Sequence, residues 1–167
     1  AFAALVMAFA DPVRMPKDAA PDAGRQTVSI YLDTSPSMMA SGEVGPLIQE
    51  AKQKATSLVE AFSETDRFHV FTSEFEGQDQ RFLTQTEALE RIAETQLSSH
   101  SPGLDAVVQR GLDQCRRAEG GGKQAFWVTD LQKTSHDVAA SNAPDTSVTW
   151  HVLPVTANAV PNVWIDS

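Results

Sequence analysis

Apolar and polar positions along this chain follow two periods, one typical of strands and the other of helices. Residues 27–33 alternate, with Val28, Ile30 and Leu32 on one face, which predicts a first β-strand. Between residues 42 and 62 the apolar positions recur every three or four residues, which predicts an amphipathic helix. Further strands are predicted at 67–72, 124–130 and 148–155, with a weaker edge strand at 80–83.

Two more helices are indicated by their start signals. Thr84, followed by Glu87, has the form of a capping box and predicts a helix through about residue 97. Ser101 before Pro102 predicts an N-cap and a first helical position, opening a helix to about residue 118 that buries Cys115. Strands that alternate with amphipathic helices predict an α/β fold, a doubly wound and mostly parallel sheet with helices on both faces.

The two ends of the chain differ from the folded part, which we place at residues 27–155. Residues 1–10 are an uninterrupted apolar run that as a helix would cover about 15 Å, half of the roughly 30 Å hydrocarbon core of a bilayer. The run fits the tail of a membrane helix; a signal-peptide remnant and an apolar helix packed on the domain are the alternatives. Residues 11–26 are predicted to be a linker, and 156–167 an exit segment that begins a following domain.

Composition and net charge indicate which kinds of molecule the chain can bind. Of the 167 residues, 41% are hydrophobic, as in ordinary soluble globular domains. Acidic residues outnumber basic ones by 22 to 13, giving a formal net charge of -9. Because an acidic surface repels phosphate backbones, nucleic acid is not expected as a partner, whereas cations or basic protein patches are. His69 alternates with apolar residues inside its strand and is predicted to be structural.

Candidate chemistry lies where the first and fourth strands end, at Asp33 and Asp130. If the strands follow the common order 3-2-1-4-5, these two are neighbours at the point where the order reverses, and both carboxylates point into one crevice. Ser35 and Ser37 alternate with other residues in the loop after Asp33, so two hydroxyls and a carboxylate can face a common point.

These donors favour a hard divalent cation. Carboxylate and hydroxyl oxygens suit Mg²⁺, or Mn²⁺ or Ca²⁺, rather than zinc. Ser101, or less favourably Ser99, can add a hydroxyl from a third loop. With so few charged ligands the ion would be electron-poor, with room for water or for an acidic side chain of a partner.

The segment DTSPS, from Asp33 to Ser37, resembles the metal-ion-dependent adhesion site of von Willebrand factor A domains, whose motif is Asp-x-Ser-x-Ser. The family places this motif after its first strand and another aspartate at the end of its fourth strand, where this chain has WVTD. The resemblance covers about residues 27–155. It implies that Ser35 and Ser37 bind the ion directly, and that Asp33 and Asp130 act mostly through bound water.

A narrower resemblance is to the BatA-like membrane proteins of bacterial aerotolerance operons. Their A domain follows a membrane helix that ends in an apolar-then-proline segment, similar to LVMAFADP here. The resemblance implies an anchor in the inner membrane, with the A domain on the periplasmic side. It also implies that the protein works with MoxR-type AAA+ ATPases or with sibling A-domain proteins.

The chain departs from the family pattern at three places. Pro102 lies where the third metal loop of the family has threonine, which leaves Ser101 as the nearest hydroxyl. Leu131 follows Asp130 where many A domains have glycine. The region after Thr156 is too short for the last helix and strand, so the fold is expected to be C-terminally shortened.

Three functions are compatible with these residues. The favoured one is a protein-binding module, not an enzyme, whose metal completes its coordination with a partner carboxylate. The second is an A-type scaffold with a degenerate, metal-free site, in which DTSPS merely caps a strand-to-helix turn. The third is a Mg²⁺-dependent phosphohydrolase of the haloacid dehalogenase type. That chemistry needs an acid two residues after the nucleophilic aspartate, where this chain has Ser35.

Overall fold

A computed structural model of the chain describes residues 24–42, 45–119, 121–131 and 147–158. The predicted apolar segment 1–10, nearly all of the predicted linker and the exit residues after 158 lie outside the described residues. In the described parts, no helix is long and apolar enough to cross a membrane.

A parallel sheet forms the centre of the fold. Its strands are β1 (Thr27–Leu32), β2 (Arg67–Thr72), β3 (Lys123–Thr129) and β4 (Thr149–Pro154). They lie in the order β2-β1-β3-β4, and every pairing is parallel. The first and fourth predicted strands, here β1 and β3, are therefore neighbours, as predicted. Leu32 lies beside Val128 at their carboxyl ends.

Helices cover both faces of this sheet, as predicted. They are α1 (Leu47–Glu60), α2 (Gln85–Glu94) and α3 (Leu104–Arg117), with short 3₁₀ helices at Pro36–Met39 and Gly77–Gln80. The apolar side chains of β1 pack with buried residues of α1 and α2 on one face. On the other face Tyr31 packs against Val107 of α3, and Ala125 packs against Cys115. The thiol of Cys115 is buried, as predicted.

The start of α2 agrees with its predicted signal, whereas the start of α3 does not. At α2 the Thr84 hydroxyl accepts a hydrogen bond from the Glu87 N–H, and the Glu87 carboxylate accepts the Thr84 N–H at 2.8 Å. The N-cap of α3 is Gly103, without a side-chain cap, so the prediction of Ser101 as N-cap is wrong.

Two further element boundaries differ from prediction. The helix predicted from residue 42 begins at Leu47, after Pro46; a proline disfavours helical backbone in the residue before it, which prevents an earlier start. The predicted edge strand at 80–83 is wrong, since only a single antiparallel bridge joins Leu83 to Phe68. Gln80 belongs to a 3₁₀ helix, which leaves too few residues for a strand.

Candidate metal site

The loop after β1 brings three of the predicted ligands together. Asp33 is buried, and its Oδ1 accepts a hydrogen bond from the Ser35 N–H at 2.9 Å. The 3₁₀ helix that begins at Pro36 turns the chain so that the hydroxyls of Ser35 and Ser37 lie 3.0 Å apart. Buried Met38 anchors this turn in the core. The alternation seen in the sequence thus becomes a cluster of two hydroxyls and one carboxylate.

The end of β3 orients the Asp33 carboxylate. The Asp33 N–H donates to the Val128 carbonyl at 2.9 Å, which continues the β1–β3 ladder by one residue. The Thr129 hydroxyl then donates to Asp33 Oδ2 at 2.7 Å. Thr129 was not singled out in the sequence analysis. Alternation along β3 places its side chain on the face opposite to that of Val128, but its contact with Asp33 depends on the register of the two strands, which the sequence does not give.

Asp130 lies at the same edge of the sheet as Asp33. Burial raises the pKa of the Tyr31 phenol, and the negative charge of Asp33 raises this pKa further. The hydrogen bond with Ser73 lowers it, whereas the charge of Asp130 raises it. Because β3 ends at Thr129, directly before Asp130, and pairs with β1, both aspartates lie at the same edge of the sheet, as the predicted strand order requires.

The third loop, between α2 and α3, lies beside the first. The Ser98 N–H donates to the Thr34 carbonyl at 2.7 Å, so the two loops are in direct contact. Ser101 is exposed and lines a small pocket together with Asp33. The structure therefore brings Ser101 to a pocket that Asp33 also lines, although not through the helix cap that the sequence indicated. Ser99 and His100 are exposed in the same loop.

A buried hydroxyl from the loop after β2 holds the first loop in position. Ser73 Oγ lies 2.9 Å from the Tyr31 hydroxyl and accepts the Thr34 N–H at 3.1 Å. In return, the Ser73 N–H donates to Thr34 Oγ1 at 3.3 Å. Thr34 is fully buried, so these bonds fix the backbone between Asp33 and Ser35 away from solvent. Such partners are not visible in the sequence, since 39 residues separate Thr34 from Ser73.

The geometry of the hydroxyl pair fits a small divalent cation. Adjacent ligands of octahedral Mg²⁺, each about 2.1 Å from the ion, lie about 3.0 Å apart. The hydroxyls of Ser35 and Ser37 have this spacing. Both Asp33 oxygens already accept a hydrogen bond, but each retains a lone pair that can accept one from a metal-bound water.

Other kinds of metal site are not found in the described parts of the chain. There, no group of three or more histidine, cysteine, aspartate or glutamate side chains is placed to hold an ion. The candidate site therefore depends on hydroxyl ligands.

Leu131, after Asp130, adopts an unusual backbone conformation. Its φ of 53° lies in the left-handed region. A side chain with a Cβ atom costs roughly 1–2 kcal/mol there, a cost that glycine avoids. Many A domains have glycine at this place. The leucine of this chain therefore destabilises the folded backbone relative to glycine.

Solved structures of other proteins share the fold of this chain. An aerotolerance-related membrane protein from Bacteroides fragilis, in a form with multiple mutations to serine, matches with a TM-score of 0.59 and 20% identity, over 79% of this chain and 68% of that one. A conserved hypothetical protein, BatB, from Bacteroides thetaiotaomicron matches with a TM-score of 0.56 and 19% identity, over 78% of this chain and 66% of that one. No family model matches the chain, and neither does any curated protein.

These matches confirm, at the level of the fold, the resemblance to the von Willebrand factor A-type domains of BatA-like proteins. The chain spans about two thirds of the length of each of these structures.

Proposed function

We propose that this domain is a Mg²⁺-dependent protein-binding module of a membrane-anchored bacterial envelope protein. Ser35 and Ser37 bind the ion directly, Asp33 and Asp130 hold its water ligands, and Ser101 supplies a hydroxyl from the third loop. The observation that carries the proposal is the 3.0 Å spacing of the two serine hydroxyls directly beside the Asp33 carboxylate. This spacing suits adjacent ligands of Mg²⁺.

The charge of such a site favours an acidic partner. Neutral hydroxyls leave the positive charge of the ion largely uncompensated, and both carboxylates act from beyond the first coordination shell. A carboxylate offered by another protein then gains a strong charge-assisted contact. The chain as a whole has a formal net charge of -9, which repels acidic proteins that do not reach the ion.

The same residues argue against catalysis. Hydrolysis of a phosphate ester through an aspartyl nucleophile requires a general acid, and the position two residues after Asp33 is Ser35. Ser35 is 7% exposed, with its hydroxyl beside that of Ser37, where it serves as a ligand rather than a proton donor. We therefore assign recognition, not turnover, to the ion.

The fold relatives support a membrane-associated setting for the domain. One of them is named as an aerotolerance-related membrane protein, which supports a membrane-associated role. We place the domain on the periplasmic side of the inner membrane, and its partners among sibling A-domain proteins or the assemblies of a MoxR-type AAA+ ATPase.

A metal-free scaffold is the second candidate, and one observation favours it. The hydrogen bond from the Ser35 N–H to Asp33 Oδ1 is a local cap that this sequence can form without any ion. In that case the loop serves only to connect β1 to α1, and the domain acts through its surface.

Melting in the presence of Mg²⁺ separates the candidates. A ligand at 100 times its Kd stabilises the native state by about 2.7 kcal/mol, which for a domain of this size raises Tm by roughly 5–10 °C. Ser35→Ala should remove most of this increase. Ser57→Ala, an exposed serine on α1, should keep it. An unchanged wild-type Tm across millimolar Mg²⁺ would favour the scaffold.

A phosphatase assay tests the third alternative. Metal-dependent hydrolysis of a phosphate ester by the purified chain, lost in Asp33→Asn, would replace the binding assignment with an enzymatic one.

A further inference from the structure

A small pocket opens beside Asp33 at the same edge of the sheet. Its volume is about 70 Å³. Asp33 and Ser101, two residues of the candidate metal site, are among its lining residues. The rest of the lining is mainly apolar and includes Tyr31, Val107, Trp127, Leu131 and Val152.

The size and polarity of the pocket select an apolar occupant. A cavity of about 150 Å³ in another protein binds benzene, so half that volume suits an aliphatic side chain. Among the described lining residues Asp33 is the only carboxylate, and it belongs to the candidate metal site. A charged group is therefore favoured only near Asp33, where the ion would neutralise it, and an uncharged aliphatic group is favoured in the rest of the pocket.

Two exposed aliphatic side chains border this pocket. Leu131 is 42% exposed and Val152 is 44% exposed, so both can contact a bound molecule. Leu131 keeps its side chain in a left-handed backbone conformation, where glycine would avoid strain. Strained positions that persist next to a binding site are often retained for the contact they make.

We propose that the pocket receives an aliphatic side chain of the partner, adjacent to the acidic residue whose carboxylate completes the Mg²⁺ site. Leu131 is then a specificity-determining residue, which selects an acidic residue with an aliphatic neighbour over an isolated acidic residue. This inference rests on the proposed function, because the ion fixes the carboxylate end of the partner segment.

Small carboxylates serve as probes of the two parts of this site. The ¹⁵N-labelled 167-residue chain is titrated in excess Mg²⁺ with acetate, with isocaproate, which ends in the isopropyl group of a leucine side chain, and with isocaproamide, which lacks the charge. Amide shifts of Ser35 report the metal side, and the Trp127 indole reports the pocket. We expect isocaproate to bind at least about tenfold more tightly than acetate, because its alkyl chain leaves water. Isocaproamide should bind much more weakly than isocaproate.

Variants at the rim test the assignment of Leu131. Leu131→Gly relieves the backbone strain, so the fold should remain at least nearly as stable. It should reduce the preference for isocaproate over acetate several-fold and leave the affinities for acetate and Mg²⁺ unchanged. Val152→Ser should act in the same direction. Met39→Ser is the matched control, since Met39 is 67% exposed at the end of the 3₁₀ helix after Ser35 but is not among the lining residues of the pocket.

The outcomes separate this inference from the proposed function. Mg²⁺ binding with equal affinities for acetate and isocaproate would overturn the pocket alone. An isocaproate preference that survives in both Leu131→Gly and Val152→Ser would overturn it as well. No Mg²⁺-dependent shift at Ser35 would overturn both proposals.

Discussion

Thr129 donates a hydrogen bond of 2.7 Å from its hydroxyl to Oδ2 of Asp33, across the boundary between β3 and β1. The two residues are 96 positions apart and meet only because the strands are adjacent and in register. The bond fixes the rotation of the carboxylate, whose other oxygen accepts the Ser35 N–H. In metal sites such outer partners hold the ligands in the geometry that the ion requires.

Replacing Thr129 by valine should therefore weaken metal binding. Thr129→Val keeps the shape of the side chain and removes the donor, and loss of an outer partner typically lowers metal affinity 10- to 100-fold. We expect Mg²⁺ to bind about tenfold more weakly by calorimetric titration, with a loss of about 1 kcal/mol in unfolding free energy. Thr149→Val, at an exposed position on β4, should bind Mg²⁺ as the wild type does. An unchanged Mg²⁺ affinity in Thr129→Val would show that this hydrogen bond does not contribute to metal binding.

The segment after β4 contacts the loop between β1 and α1, which carries the candidate metal site, and this contact provides a second test. The Asn158 N–H donates to the Ser41 carbonyl at 2.9 Å, and its side-chain amide donates to the Gly42 carbonyl at 2.8 Å. Both acceptors lie just beyond the 3₁₀ helix that positions Ser37. Asn158→Ala should loosen this end of the loop and weaken Mg²⁺ binding about threefold, at a stability cost of roughly 1 kcal/mol.

Thr156→Ala is the control for Asn158, because Thr156 is exposed in the same segment. Calorimetric titration and urea unfolding give the two quantities separately. A loss of stability in Asn158→Ala with wild-type Mg²⁺ affinity would show that the contact supports the fold and not metal binding.

Local signals in the sequence predicted elements well where the deciding contacts are themselves local. The alternation in β1 places its apolar side chains on one face, and the Thr84–Glu87 capping box is made within four residues. The sequence also predicted which edge of the sheet carries the candidate site, because this depends only on which strands end in Asp33 and Asp130. These features need no knowledge of distant partners.

Features that depend on contacts between distant positions could not be predicted from the sequence. Ser101 before Pro102 has the form of a helix start, yet the loop is held by the bond between Ser98 and Thr34, 64 positions apart, and α3 begins later. The role of Thr129 depends on strand register, which the sequence does not give. The pocket next to Asp33 likewise requires side chains from several elements.

Gly121 offers a test of the backbone that leads into β3. Its φ is 68°, and a Cβ atom built there would lie 1.9 Å from the Arg25 carbonyl oxygen. Gly121→Ala should therefore lower the unfolding free energy by at least about 2 kcal/mol, from the left-handed conformation together with the clash. Gly77→Ala is the matched control, since nothing lies within 4 Å of its Cβ position and its φ is not in the left-handed region. Equal stabilities of the two variants in urea unfolding would contradict the placement of Gly121 against Arg25.

His69 makes the stability of the domain depend on pH. Its ring is 1% exposed, stacks on Phe71 with centroids 4.8 Å apart, and bonds to the Ser29 hydroxyl at 2.8 Å, as the predicted structural role requires. Burial lowers the pKa of His69 to about 4, opposed by the bond to the Asp79 carbonyl and assisted by the charge of Arg110.

Because the folded state resists protonation of His69, its contribution is complete above the unfolded pKa of 6.5 and is lost as pH falls toward 4. Between about pH 7.5 and pH 5 the wild type should lose on the order of 2 kcal/mol more unfolding free energy than His69→Gln, which cannot titrate. Urea unfolding at the two pH values measures this difference. His100→Gln, at an exposed histidine, should keep the wild-type dependence. If His69→Gln also keeps it, the ring is not held neutral in the fold and another group accounts for the acid sensitivity.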